Sequence, residues 1–227
     1  MVDLVVFLGN PGRQYARNRH NAGWLFAEAL PFYSSLSWQK KYKGLYGTLD
    51  SSRLPSPGLP SPGGGSIEGE LPPAGSRKLH FLKPETFMNL SGEAVSAAAG
   101  FLKIAVESVL VVHDELELPL GTVSLKFGGG LGGHNGLRSM KASLADAGFW
   151  RLRFGIGRPD DRAPGQGGPP GSGRGIIDWV LSNFSPSEET MLEQIFARTN
   201  SAFIGALVRG PETLLPLWGK RRVFEES

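Results

Sequence analysis

Four histidines and no cysteine bound the chemistry open to this 227-residue chain. Without thiolates there are no disulfides, cysteine nucleophiles or cysteine zinc sites, so oxygen and nitrogen must carry any catalysis. In open α/β sheets ligands bind just outside the carboxyl ends of the strands, so polar residues that close apolar runs are the first candidates. Four segments qualify: Asn10 after Leu4 to Leu8, Lys83 to Asn89 after a run from Lys78, Asp114 after Val109 to Val112 and His113, and His134-Asn135 after the glycine run Gly128 to Gly133. His20 lies ten residues beyond Asn10, where a helix should begin.

The histidines separate by context. His80 falls inside an apolar strand and reads as structural. His113 and Asp114 are successive residues at a strand end, so their side chains should face opposite ways and only one should serve a given site. Asp114 is the better candidate, because a carboxylate orients an imidazole and stabilises its protonated form. Near a helix amino terminus the dipole favours a neutral His20, and a carboxylate partner raises its pKa again. Together these suit a general base near neutral pH; the competing reading has His20 capping a helix and Asp114 capping a turn.

Other chemistries fit less well. Ser91 lies in Asn89-Leu90-Ser91-Gly92, which is not a Gly-x-Ser-x-Gly elbow, and it suits a helix cap. Gly128-x-Gly130-x-x-Gly133 follows a strand but lacks the acidic residue a dinucleotide site places about 20 residues on. The His, Asp and Glu residues show no helical or hairpin ligand spacing for a metal site. Asn10, Asn21, Asn89 and Asn135 all fall in the candidate segments. Each amide offers two donors and an acceptor without charge, which suits peptide backbone and ribose hydroxyls, although any single asparagine also suits a turn.

The elements that must hold these residues alternate. Leu4 to Leu8 reads as a strand buried on both faces, Asn21 to Leu30 as a helix stopped by Pro31, and Lys78 to Lys83 as a strand. Ser91 to Leu102 is Ala-rich and helical, Val109 to Val112 is a second buried strand, and Thr122 to Phe127 alternates like a half-buried one. Gly136 to Leu144 is helical and Trp150 to Ile156 a strand, while Ser185-Pro186-Ser187-Glu188 is a capping box opening a helix to about Arg209. The expectation is one α/β domain over 1–227, a three-layer α/β/α arrangement with a mixed, mostly parallel sheet. Two stretches interrupt it: residues 51–76, rich in Pro, Gly and Ser, read as a disordered surface insertion, and 159–175 as a flexible Gly/Pro loop.

Composition narrows the class. Hydrophobic residues at 40% and charged residues at 20% describe a globular chain. No run approaches the roughly 18 apolar residues of a spanning helix. Asp3 stands where a signal peptide would be basic, so the cytoplasm is the expected compartment and no membrane partner is expected. Net charge of +3 permits a polyanionic partner without demanding one.

Five ordered blocks carry a resemblance. Phe7 to Tyr15 with Arg19 to Gly23, Leu82 to Gly92, His113 to Gly121, Gly132 to Leu137 and Arg151 to Pro159 resemble the signature blocks of the bacterial peptidyl-tRNA hydrolase family. The resemblance implies hydrolysis of the ester joining a peptide to the 3′ ribose of tRNA, by a monomer without cofactor or metal, with peptidyl-tRNA bound through its acceptor stem and 3′ end. It implies that His20 activates the attacking water, Asp114 supports the imidazole, and Asn10 reads the first peptide bond. Tyr15, Phe87, Asn89 and Asn135 then resemble contacts to the tRNA 3′ end, and Met88 lines the same cleft. Some of the basic residues in or near the blocks (Arg13, Arg17, Arg19, Lys126, Arg138, Lys141 and Arg153) are expected to form an acceptor-stem patch, with Lys126 and Arg153 among the tRNA-binding residues. Asn18 departs from the threonine usual before Arg-His-Asn. Relatives of this fold also include non-catalytic RNA-binding and splicing factors; retention of Asn10, His20, Asn89, Asp114 and Asn135 argues for an enzyme.

Overall fold

The computed structural model describes residues 1–56, 76–159 and 173–223. Its strands are β1 (Leu4–Phe7), β2 (Gln39–Lys41), β3 (Gly44–Asp50), β4 (Lys78–Pro84), β5 (Val109–Glu115), β6 (Thr122–Phe127), β7 (Trp150–Gly155) and β8 (Arg221–Arg222). They form one sheet in the order β2-β3-β4-β1-β5-β7-β6-β8. The helices are α1 (Ala22–Glu28), α2 (Ser91–Leu102), α3 (Asn135–Leu144), α4 (Gly173–Val180), α5 (Pro186–Arg209) and α6 (Leu215–Trp218).

The central strands are apolar on both faces because helices cover both. Along β1, Val5 and Phe7 enter a core with Phe26 of α1 and Phe196 and Phe203 of α5, while Leu4, Val6 and Leu8 enter a second core with Val95 and Ala98 of α2 and Leu137 of α3. In β5, Leu110 and Val112 face the first core and Val109 and Val111 the second. Fully burying each such side chain contributes about 1.5–3 kcal/mol.

Three expectations change in detail. Parallel pairing is confined to β4-β1-β5-β7; the flanking strands β2, β3, β6 and β8 pair antiparallel. The sheet is therefore mixed, with a parallel centre. Thr122 to Leu125 are all buried rather than alternating, since Val123 and Leu125 pack with Trp218 of α6 while Ser124 bonds Arg153 and the Gly219 carbonyl. Residues 173–175 open α4 instead of ending a loop. Of the stretch 51–76, Ser51–Arg53 is a short 3-10 turn and both Ser52 and Ser76 bond the Asp50 carboxylate; residues 57–75, like 160–172, lie outside the described residues.

Two contacts fix the segment that carries His20. A Cβ on Gly23 would sit 2.5 Å from the Val112 carbonyl and 2.6 Å from that of Leu8, so only glycine lets α1 start directly on the carboxyl ends of β1 and β5. Arg19, buried, makes a bidentate pair with Glu188 at 3.0 and 2.8 Å and lies 3.9 Å from the Trp179 ring. Glu188 also closes the capping box with Ser185, so the start of α5 and the turn carrying His20 share one carboxylate.

Candidate active site

Asn10 follows β1, His20 sits in the 3-10 turn Arg19–Asn21, Asp114 is the last residue but one of β5, and His134 caps α3. The topology brings all four to the carboxyl ends of the two central strands, on either side of which the chain crosses over. Nδ1 of His20 lies 2.8 Å from Oδ1 of Asp114, so the pair read from sequence meets in space. Asp114 is in the strand itself, 2% exposed, and not in a turn after it.

A second imidazole shares the carboxylate. His134 Nε2 is 3.1 Å from the same Oδ1, and the His20 and His134 rings are 4.8 Å apart. Nδ1 of His134 accepts the backbone N–H groups of Gly136 and Leu137 at 3.1 and 3.4 Å, which fixes its proton on Nε2. Both imidazoles therefore donate to Asp114. Sequence reasoning named the His134 segment but gave the residue no role; its position two residues before the first capped amide was the available signal.

His113 and Asp114 do start on opposite faces, yet both reach His134. The His113 ring stands edge-on to it at 4.9 Å, and its Nδ1 donates to the Asp114 carbonyl at 2.6 Å. Complete burial, and then the neighbouring His134, hold the His113 pKa well below the usual histidine value, so it stays neutral. His80 lies elsewhere, 2.6 Å from the Tyr46 hydroxyl.

Burial pushes the His20 pKa down, but the Asp114 charge and hydrogen bond outweigh it and leave the pKa above the ordinary 6.5. Burial likewise opposes ionisation of Asp114, yet His20 and His134 hold its carboxyl well below the usual carboxylate range. With Nδ1 committed, the base lone pair of His20 is on Nε2, which takes no partner among the described residues.

Ligand atoms of His20, Asp114 and His134 lie within 4.8 Å of one another, a juxtaposition that sequence spacing could not show. The hydrogen bonds that His134 already makes oppose metal ligation through its Nε2. Ligation through Nε2 of His134 would need that nitrogen deprotonated and the proton moved to Nδ1, which would break both bonds capping α3.

Asn10 is held from two sides at the end of β1. Asn21 clips its backbone twice, accepting its N–H at 2.8 Å and donating to its carbonyl at 3.1 Å. Its own Oδ1 accepts the Met88 N–H at 2.7 Å, so the group it presents is the amide NH2. Met88 is buried, while Phe87, Asn89 and Asn135 are exposed and Tyr15 half-buried. A Cβ on Gly136 would meet Met88 Sδ at 2.6 Å, so glycine allows the two segments to touch. Lys83 leaves the site to pair with Glu28.

The basic residues divide. Arg19 is buried against Glu188 and is not open to a phosphate, while Arg17 pairs with Glu189 but stays largely exposed. Lys126 and Arg153 share one face of β6 and β7, but the Arg153 guanidinium holds Glu115 at 3.2 Å and Ser124 at 2.8 Å. Lys126 is half-buried beside Gly129, with no acceptor among the described residues.

The family model for peptidyl-tRNA hydrolase matches residues 4–217. The chain belongs to the peptidyl-tRNA hydrolase family. The peptidyl-tRNA hydrolase of Treponema pallidum is 40% identical over 226 residues, covering 98% of this chain and 97% of that one. The peptidyl-tRNA hydrolase of Neisseria meningitidis serogroup C is 44% identical, covering 100% and 97%. The crystal structure of the Acinetobacter baumannii peptidyl-tRNA hydrolase superposes with a TM-score of 0.68 at 32% identity, over 93% of this chain and 91% of that one. Asn18, the departure from the family pattern, is buried and bridged to Asn183, with its carbonyl accepting the Asn21 N–H at 2.9 Å.

His134 bears on the His20–Asp114 pair as well as on the helix. His134→Ala removes one donor from Asp114, concentrating its charge on His20 and raising the His20 pKa further. The acid limb of the rate profile should move to higher pH, with about 1 kcal/mol of stability lost from the missing cap. Rates across pH 5.5–8.5 and thermal melts check this; a limb moving to lower pH would contradict the shared-carboxylate geometry.

Proposed function

We propose that this member of the peptidyl-tRNA hydrolase family hydrolyses the ester between a peptide and the 3′ ribose of tRNA, by water attack without a covalent intermediate. The observation that carries the mechanism is the His20 imidazole, anchored through Nδ1 on an ionised Asp114 with Nε2 left without a partner among the described residues. His20 Nε2 takes a proton from water as the oxygen attacks the ester carbon. The resulting imidazolium, stabilised by Asp114, returns the proton to the departing ribose oxygen. Neutral amide donors suit the oxyanion that forms between these steps.

In the same reading, the Asn10 NH2 donates to the first peptide carbonyl, a group an unblocked aminoacyl ester lacks. Tyr15, Phe87, Asn89 and Asn135 meet the 3′ end and Met88 lines the cleft. Lys126 meets phosphate, and Arg153 keeps the Glu115 carboxylate from repelling it. The protein acts as one domain over 1–227, as a monomer in the cytoplasm, without metal. Among the described residues no helix is long and apolar enough to cross a membrane. The His20–Asp114 geometry gives no support to a non-catalytic RNA-binding role.

The test is release of tRNA from an N-acetylated aminoacyl-tRNA and from its unblocked counterpart. Wild type should cleave only the blocked ester. Asn10→Asp keeps the acceptor for Met88 but loses the donor, and should lower kcat/KM for the blocked ester by about 10- to 100-fold, weakening the preference. Binding of tRNA without cleavage of either ester would overturn the assignment.

A further inference from the structure

We infer a single-stranded RNA-binding patch on the outer edge of the sheet, formed by Lys41, Tyr42, Lys43, Tyr46, Phe101 and Lys103, separate from the hydrolytic centre and independent of its chemistry. The patch joins the β2–β3 turn to the end of α2. Tyr42 stands edge-on to Tyr46 at 5.1 Å and tilted to Phe101 at 5.6 Å. Phe101 is 69% exposed although it belongs to a helix with a buried face available. The Lys41 ammonium lies 4.9 Å from the Tyr42 and Phe101 ring centroids and 5.7 Å from that of Tyr46.

Backbone strain singles out the same residues. Of the four non-glycine residues with left-handed φ in the described chain, three are Tyr42, Lys43 and Lys103, at 53°, 56° and 55°. The two-residue turn Tyr42-Lys43 and the α2 cap at Lys103 are positions where glycine or asparagine is normally used. Each side chain costs roughly 1 kcal/mol there. Lys41, Lys43 and Lys103 are exposed and Tyr42 is half-buried, with its hydroxyl enclosed and lacking any acceptor. Tyr42 and Tyr46 also pack against the second core, but packing does not account for the exposed Phe101 or for lysines at two of the left-handed positions; a ligand that uses them does.

The chemistry selects that ligand. Aromatic rings among lysines match the way single strands are held, with bases stacked on rings and phosphates met by ammonium groups. Of the three lysines Lys43 is paired with Glu93 at 2.7 Å, and Glu85, whose N–H donates to the Lys43 carbonyl, is a second acidic residue at this edge, so the lysines outnumber the acids three to two. Duplex RNA hides its base faces and could use only the lysines. On binding, Lys41 moves from the rings to a phosphate, and Tyr42 and Phe101 offer their faces to bases.

The experiment measures fluorescence anisotropy of a labelled 12-nucleotide adenosine RNA and of a 12-base-pair duplex RNA. Wild type, Phe101→Ser, Phe101→Tyr, Lys41→Glu and Lys126→Glu are compared, each confirmed folded by circular dichroism. Phe101→Ser should weaken single-strand binding about tenfold, Phe101→Tyr should retain it, and Lys41→Glu should weaken it and flatten the salt dependence. Turnover of N-acetyl-aminoacyl-tRNA should stay unchanged in Phe101→Ser and Lys41→Glu, so a failed patch and a failed hydrolase reading are told apart. Wild-type affinity in both Phe101→Ser and Lys41→Glu would overturn the patch. So would loss confined to Lys126→Glu, or equal affinity for duplex and single strand.

Discussion

His20→Ala lowers kcat/KM for an N-acetylated aminoacyl-tRNA by about 10²- to 10⁴-fold, the span set by removal of a general base from a reaction that keeps its other groups. Asn10 and the substrate rim are held by Asn21, Met88 and the strand ends, not by the imidazole, so binding should survive and the loss should fall on kcat. The buried Asp114 keeps one donor, His134, and the protein should fold. Imidazole added at millimolar concentration fits the vacated space and should restore part of the rate. A loss under tenfold, with the melt unchanged, would mean that water is activated elsewhere.

What the sequence made legible here was local. Unbroken apolar runs announced β1 and β5, and Ser185-Pro186-Ser187-Glu188 announced the start of α5, because each signal acts within a few residues. The β2–β3 hairpin gave no such signal: Gln39-Lys40-Lys41 is exposed throughout, and its turn is Tyr-Lys where Asn-Gly would be readable. The short α6 and β8, which cover β6, were also invisible, and β6 was therefore read as half-buried.

The site shows the same division. Asn10 and Asp114 were findable because each follows an apolar run, and His20 because it stands where a helix should begin, but the place of His134 depends on a crossing of β5 and α3 that no spacing records. Arg19 was misplaced among open cations for a related reason. Its neighbours Trp179 and Glu188 are more than 150 residues away in sequence, and only the fold turns a surface charge into a buried anchor.

Asp114→Asn separates the electrostatic part of the site from its shape. The amide oxygen can still accept from both His20 and His134, so the tautomers and ring positions should persist while the charge disappears. The imidazolium formed during water attack then lacks its counter-charge, and kcat should fall by about 10²- to 10⁴-fold. In wild type the carboxylate outweighs burial and holds the His20 pKa above 6.5; without it burial acts alone and the pKa drops below that value. The remaining activity should therefore begin at lower pH than in wild type, the opposite direction from His134→Ala. Stability follows the same sign. A raised folded-state pKa stabilises wild type below about pH 6.5 and that contribution fades as pH rises through the His20 pKa. A lowered one makes the variant lose stability as pH falls through the same region. The gap in Tm between the two proteins should be wider at pH 5.5 than at pH 8, a range in which Asp114 stays ionised in wild type. An acid limb that does not move, with a gap in Tm constant across that range, would mean that Asp114 positions His20 without setting its basicity.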